Sequence, residues 1–221
     1  VFSSTNIRKL ISYANRNKIT IIPEVDFPGH AYAIVQADQE VFVDPNDKSN
    51  FVTIQGYYND VIPVCLYNSK EKPKNSFTRT MNQIVLAIAD LFDKQTTLYY
   101  QKEVSLGGDE VAATAWTDDS SCNIEPCKDL NALSKSHYFF KKMVTSSAIK
   151  KAMIKFSGWQ QIVQNDDGTL DPLSFNSKFA GHIWVWLPVE SGAISQAQTL
   201  ARSGYPVVLS FASDLYMDLT Y

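Results

Sequence analysis

Short β-branched runs alternate with helix-patterned stretches along this chain, and that alternation constrains the fold more than any other feature. Strands joined through helices lie parallel, in a sheet that the helices cover. From 5 to about 16 the apolar residues Ile7, Leu10, Ile11 and Ala14 recur at helical spacing behind a Ser/Thr cap, and a β-rich run over 19–25 follows. A polar, aromatic loop over about 37–75 leads to a helix opening at Ser76, whose Phe77, Met81, Ile84, Val85, Ile88 and Leu91 share one face. The remainder predicts a strand before Gly107, a helix over 133–149, strands over 152–157 and 179–186, a helix over 194–202 closed by Gly204, and a strand over 206–211. The expected class is therefore α/β, with five parallel strands.

In such folds the chemistry sits at the C-terminal strand ends. Asp26 with His30, Asp109 with Glu110, Trp159, Trp186, and Tyr216 with Asp218 all fall just after strand runs. The two richest ends are 21–30, Ile-Ile-Pro-Glu-Val-Asp-Phe-Pro-Gly-His, and 105–111, Ser-Leu-Gly-Gly-Asp-Glu-Val. Both end an apolar run in carboxylates beside residues that favour turns and close backbone approach. Paired carboxylates suit glycoside cleavage, which needs a proton delivered to the leaving oxygen and stabilisation of positive charge at the anomeric carbon. Neighbours in sequence rarely straddle a bond. For a 2-acetamido sugar, however, the substrate's own carbonyl oxygen can act as nucleophile, so that one carboxylate is the acid while the other steadies the acetamido group. An exposed Asp-Glu loop, a satisfied structural histidine and core aromatics are the ordinary readings of the same residues taken singly.

The segments Pro23-Glu24-Val25-Asp26-Phe27-Pro28-Gly29-His30 and Gly107-Gly108-Asp109-Glu110 resemble the signatures of the family 20 glycoside hydrolases, the β-N-acetylhexosaminidases and chitobiases. The resemblance covers essentially all of the chain and implies a (β/α)8 TIM barrel, of which 1–221 supplies the third to seventh strands as one partial catalytic domain with no second domain. An eight-stranded barrel takes about 250 residues, so five strands in 221 residues are too few to close one. The family's sugar-binding Arg and a further Asp on the first two strands, and its Trp-x-Glu on the last, do not occur here. An open sheet of this kind exposes edge backbone and apolar surface, and the isolated stretch is expected to be inactive.

The resemblance also implies roles. Glu110 would be the general acid/base, partly desolvated, and Asp109 would orient the 2-acetamido group and stabilise the oxazolinium-like intermediate. His30 would relay hydrogen bonds to Glu110, with Asp26 close enough to orient it. Trp159 and Trp186 would wall the acetamido pocket, Trp184 stands where a polar residue is usual, Tyr216 would bond the acetamido carbonyl, and Asp218 would accept from a sugar hydroxyl. Two departures stand out: Ser105 replaces a frequent His, and Gln160 and Gln161 follow the Gly158-Trp159 step where an acidic residue is common. The expected function is exo-acting, retaining removal of terminal β-linked N-acetylglucosamine or N-acetylgalactosamine from glycans, glycoconjugates or chitooligosaccharides. The alternative is a catalytically inactive hexosaminidase-like glycan-binding or structural protein.

Composition narrows the partners. A net charge of −3 offers no basic footprint for nucleic acid, and no apolar run approaches the roughly 20 residues of a membrane span. The three histidines, His30, His137 and His182, are scattered, so neither metal nor organic cofactor is expected, and His137 and His182 read as structural. Cys122 and Cys127 are expected to form a small surface disulfide, leaving Cys65 unpaired or bonded outside the chain. The resemblance implies a lysosomal or secreted location, helped by that disulfide, and either a homodimer or the rest of the barrel as structural partner.

Overall fold

Ser3 starts the first helix by accepting the Asn6 amide N–H on its hydroxyl at 3.2 Å, and α1 runs Ser4–Arg16 with Ile11 and Ala14 buried. In this computed structural model, which describes residues 3–53, 56–58, 60–67, 76–93, 95 and 101–217, the later elements follow the expected alternation. They are α2 Tyr32–Ala37, α3 Gln39–Phe42, α4 Ser76–Leu91, β1 Glu103–Ser105, α5 Ala132–Val144, α6 Ser147–Lys151, β2 Lys155–Trp159, β3 Ala180–Val185, α7 Ala193–Arg202, β4 Val207–Leu209 and α8 Ala212–Leu215. The strands form one parallel sheet in the order β1-β2-β3-β4.

The first expected strand, over 19–25, is not a regular strand. Pro23 has no N–H to give a ladder, and the side-chain amide of Gln95 takes both polar groups of Ile21, accepting its N–H at 2.6 Å and donating to its carbonyl at 2.7 Å. What survives is a parallel bridge of Glu24 to Ser105, extended by Ser105 N–H to Pro23 O, Val25 N–H to Ser105 O, and Phe27 N–H to Leu106 O. This segment lines the free side of β1 and carries Asp26 to the sheet's C-terminal edge. The helix expected over 133–149 breaks in two, because the Thr145 hydroxyl bonds the Lys141 carbonyl and Ser146 caps the next turn by accepting the Ile149 N–H.

The two faces of the sheet differ. Val104, Phe156, Ile183 and Val185 are fully buried and join one hydrophobic core with Phe77, Met81 and Val85 of α4, Phe139, Phe140 and Met143 of α5, and Leu200 of α7. The opposite face is polar and aromatic: the Ser105 hydroxyl donates to Glu24 at 2.6 Å, Ser157 donates to Glu103, and Glu103 pairs with His182 Nδ1 at 2.8 Å. Ser105 thus has a carboxylate partner. Both flanks expose apolar side chains, Leu10, Tyr13 and Ile19 on one and Ile194 and Leu209 on the other, beside a groove formed with Ala197, Val207 and Phe211.

The cysteine pairing differs from expectation. Cys65 and Cys122 form the disulfide, with Cα atoms 5.2 Å apart across 57 residues, and Cys127 is a buried free thiol. The turns at Val64–Leu66 and Ser120–Cys122 lie against each other in the fold, a proximity that cysteine spacing alone does not reveal.

Candidate active site

Two successive glycines in left-handed backbone, Gly107 at φ 63° and Gly108 at φ 89°, turn the chain sharply after β1. A Cβ on Gly107 would stand 1.8 Å from Asp26 Oδ1, so only glycine leaves room for that carboxyl, which accepts the Gly108 N–H at 3.1 Å. Gly29 is similarly close: its absent Cβ would lie 3.3 Å from the Asp109 carbonyl oxygen. The two sequence motifs therefore interlock backbone against backbone, and Asp26, His30, Asp109 and Glu110 are delivered to one edge of the sheet.

Beyond the turn, Glu110 and His30 both adopt φ 50°, which non-glycine residues rarely do. His30 Nε2 lies 3.5 Å from Asp109 Oδ2 and 3.4 Å from Glu110 Oε2, so one imidazole bridges the two neighbouring carboxylates. All three side chains keep partial access to solvent, at 22% for His30, 15% for Asp109 and 27% for Glu110, as a ligand-accessible site requires. Contact with Asp109 raises the His30 pKa to about 9 against the opposing effect of burial, with Asp26 and Glu110 adding to the rise. Burial and then the Asp109 charge push Asp26 up to about 8. The site thus holds protons on Asp26 and His30 at pH values where free carboxyl and imidazole groups have lost them. Asp109 Oδ1 is buried with no hydrogen-bond partner among the described residues.

Asp26, His30, Asp109 and Glu110 are brought together at one edge of the sheet. Asp26, His30 and Asp109 also offer ligand-type atoms within 4.8 Å of one another. Each of those side chains already has a protein partner, Asp26 in the Gly108 N–H and His30 and Asp109 in one another.

The aromatic residues arrive from the neighbouring strands. Trp159 follows directly on the Gly-Gly turn, because its N–H donates to the Gly107 carbonyl at 2.9 Å. It is registered with Trp184, the two rings 6.2 Å apart, and His182 lies 6.0 Å beyond Trp184. Trp186 stacks on Tyr216 at 6.3 Å and 14°, and its backbone N–H is held by the Gln160 side chain at 3.1 Å. The Trp186 indole N–H is buried and unpartnered among the described residues. Asp218 lies outside the described residues.

Two further groups adjoin the site: Asp60, which carried no local signal, and Gln161, which the sequence marked only as a departure from the resembled family's usual acidic residue. Asp60, in the long loop, accepts the Ala31 N–H on its carbonyl at 2.9 Å, and burial raises its carboxyl pKa while the nearby His30 lowers it. Gln161 accepts the Glu110 N–H on its side chain at 3.2 Å, and its carbonyl lies 2.8 Å from Nε2 of His137, which is wholly buried. Asp60 is recognisable only once the loop is folded back on the Pro28-Gly29-His30 turn.

Residues 1–221 match the model of glycosyl hydrolase family 20, catalytic domain. A β-hexosaminidase of Vibrio furnissii is 24% identical over 218 residues, covering 99% of this chain and 31% of that protein. The human β-hexosaminidase subunit beta is 23% identical over 226 residues, covering 99% of this chain and 34% of that protein. Among solved structures, a family 20 exo-β-N-acetylglucosaminidase from Vibrio harveyi superposes with a TM-score of 0.71 at 23% identity, over 94% of this chain and 28% of that one. The same enzyme bound to N-acetylglucosamine superposes at 0.69. The chain therefore spans about a third of the length of the curated relatives it matches.

Proposed function

Because the chain belongs to glycosyl hydrolase family 20, we propose that it carries the catalytic acid of an exo-acting retaining enzyme that removes terminal β-linked N-acetylglucosamine or N-acetylgalactosamine. One observation carries this reading: His30 sits between Asp109 and Glu110, 3.5 and 3.4 Å away, on a backbone that only the two interlocked motifs permit.

In this reading Glu110, the more exposed carboxylate, protonates the departing glycosidic oxygen and later takes a proton from the attacking water. Asp109, whose Oδ1 is buried, faces the 2-acetamido nitrogen as the substrate's carbonyl oxygen closes on the anomeric carbon, and its negative charge steadies the oxazolinium-like intermediate. His30 holds both carboxylates in place, and Asp26 supports it. Trp159, Trp184, Trp186 and Tyr216 present ring faces and polar tips to the acetamido end of the sugar, and Asp218 takes a sugar hydroxyl. The reading uses no metal and no organic cofactor.

We further infer that 1–221 forms one partial catalytic domain, contributing the third to seventh strands of an eight-stranded barrel whose remaining units cover the exposed flanks of the sheet. Its substrates are N-acetylhexosamine-terminated glycans, glycoconjugates or chitooligosaccharides, met in a lysosomal or extracellular setting. The test is release of p-nitrophenol from its β-N-acetylglucosaminide by the polypeptide that carries this chain. Glu110→Gln should lower kcat by roughly 10²- to 10⁴-fold, and a dinitrophenyl leaving group, which needs less protonation, should recover part of that loss. Turnover by Glu110→Gln at the parent rate would refute the assignment. Binding without turnover in the parent itself would favour a glycan-binding protein.

A further inference from the structure

Glu110 keeps a left-handed backbone at φ 50°, and a conformation of that kind persists only where its surroundings hold it. The Gln161 side chain provides a contact at that point: its Oε1 accepts the Glu110 N–H at 3.2 Å, while its Nε2 donates to Asp166 Oδ1 at 3.2 Å. Behind it the support continues inward. The Gln161 carbonyl lies 2.8 Å from His137 Nε2, and the other ring nitrogen of His137 lies 3.1 Å from Asp171 Oδ2. That carboxylate also accepts the Ser134 hydroxyl at 2.6 Å and, on Oδ1, the Leu173 N–H at 2.7 Å, and His137 holds its pKa well below the usual carboxylate range. A buried, charge-assisted cluster thus reaches the backbone of the acid through one side chain.

We propose that Gln161 is a positioning residue for Glu110, anchored by His137 and Asp171, which aims the acid at the glycosidic oxygen without touching substrate. The proposal rests on the reading of Glu110 as the acid. A carboxamide suits the place because it accepts and donates at once. A carboxylate could accept the Glu110 N–H but would face Asp166 as a like charge and add negative charge beside the acid. Gln160 and Gln161 stand where the resemblance leads one to expect an acidic residue, and at Gln161 this chain meets the Glu110 backbone with a neutral group.

The test compares Gln161→Met, which keeps the length and loses the acceptor, with Gln161→Glu and Glu110→Gln, in the polypeptide that carries this chain. Readouts are kcat, KM and the pH profile on p-nitrophenyl β-N-acetylglucosaminide, with thermal midpoints for each variant. Gln161→Met should lower kcat roughly 10- to 100-fold with KM within about twofold of the parent, the signature of a misaimed acid. Gln161→Glu should regain most of kcat and move the alkaline limb of the profile to higher pH, since added negative charge favours the protonated acid. Parent-level kcat in Gln161→Met, with Glu110→Gln inactive, would overturn the proposal. So would a loss in Gln161→Met that Gln161→Glu shares in full with no shift of the limb, because packing alone would then explain it. Parent-level turnover by Glu110→Gln would instead bring down the reading of the acid, and this inference with it.

Discussion

Replacing Gly107 by alanine probes the interlock of the two motifs at its tightest point. The new methyl would occupy a φ of 63°, which costs alanine about 1 kcal/mol relative to glycine, and would stand 1.8 Å from Asp26 Oδ1 and 2.2 Å from its Cγ. No heavy atom tolerates that separation, so Asp26 must leave and the buried Gly108 N–H loses its acceptor, at a cost of about 1 to 3 kcal/mol. The sum is about 2 to 4 kcal/mol, or a fall of roughly 10 °C in the melting midpoint for a domain of this size. Because Asp26 adjoins His30, turnover on the acetamido substrate should fall roughly 10- to 100-fold as well. Gly56→Ala is the matched control: its φ of 82° imposes similar backbone strain, but nothing lies within 4 Å of the added carbon. It should cost only about 1 kcal/mol and leave turnover unchanged. Scanning calorimetry and p-nitrophenol release on both variants decide the matter. A Gly107→Ala protein no less stable and no less active than Gly56→Ala would refute the argument that Asp26 fills the space a side chain would need.

Two further outcomes follow from the same structure. Asp26 is raised from 3.8 to about 8, chiefly by burial, so the folded chain keeps a proton that the unfolded chain releases; its stabilising contribution is complete below about pH 4 and is lost as pH rises to about 8. Asp26→Asn should flatten stability against pH across that window and be the more stable protein at pH 8, by about 1 to 3 kcal/mol, in denaturant titrations; an unchanged slope would show that Asp26 ionises normally. The Cys65–Cys122 disulfide closes a separation of 57 residues, for which chain entropy predicts about 4 kcal/mol, so Cys65→Ala should destabilise by about 2 to 4 kcal/mol. Peptide mapping without reduction should link Cys65 to Cys122, and a Cys122–Cys127 peptide would contradict the structure.

Much of the architecture was legible because the signals are local. The Ser3 cap, the apolar face of α4 and the Gly204 stop announce helices through spacing and end chemistry, and those helices appear within a residue or two of expectation. The run over 19–25 misled because β-branched composition says nothing of what pairs with it, and Pro23 and the distant Gln95 side chain replaced ladder bonds. The run over 133–149 misled for a different reason: Thr145 and Ser146 offer their hydroxyls to nearby backbone, which ends one helix and caps another at no visible break in hydrophobic pattern.

The candidate site divides in the same way. That Asp26, His30, Asp109 and Glu110 gather at one sheet edge could be read from the chain alone, because residue type at the end of a strand run is a local property and parallel strands deliver their C-terminal ends to one side. Which atoms then meet could not. The bridging of two carboxylates by His30, the approach of Asp60, the support of Glu110 by Gln161 and His137, and the choice of Cys65 over Cys127 as partner for Cys122 all join residues separated by tens of positions. Periodicity and turn chemistry act over a few residues, whereas such contacts exist only after the helices have packed and brought distant loops to the same edge.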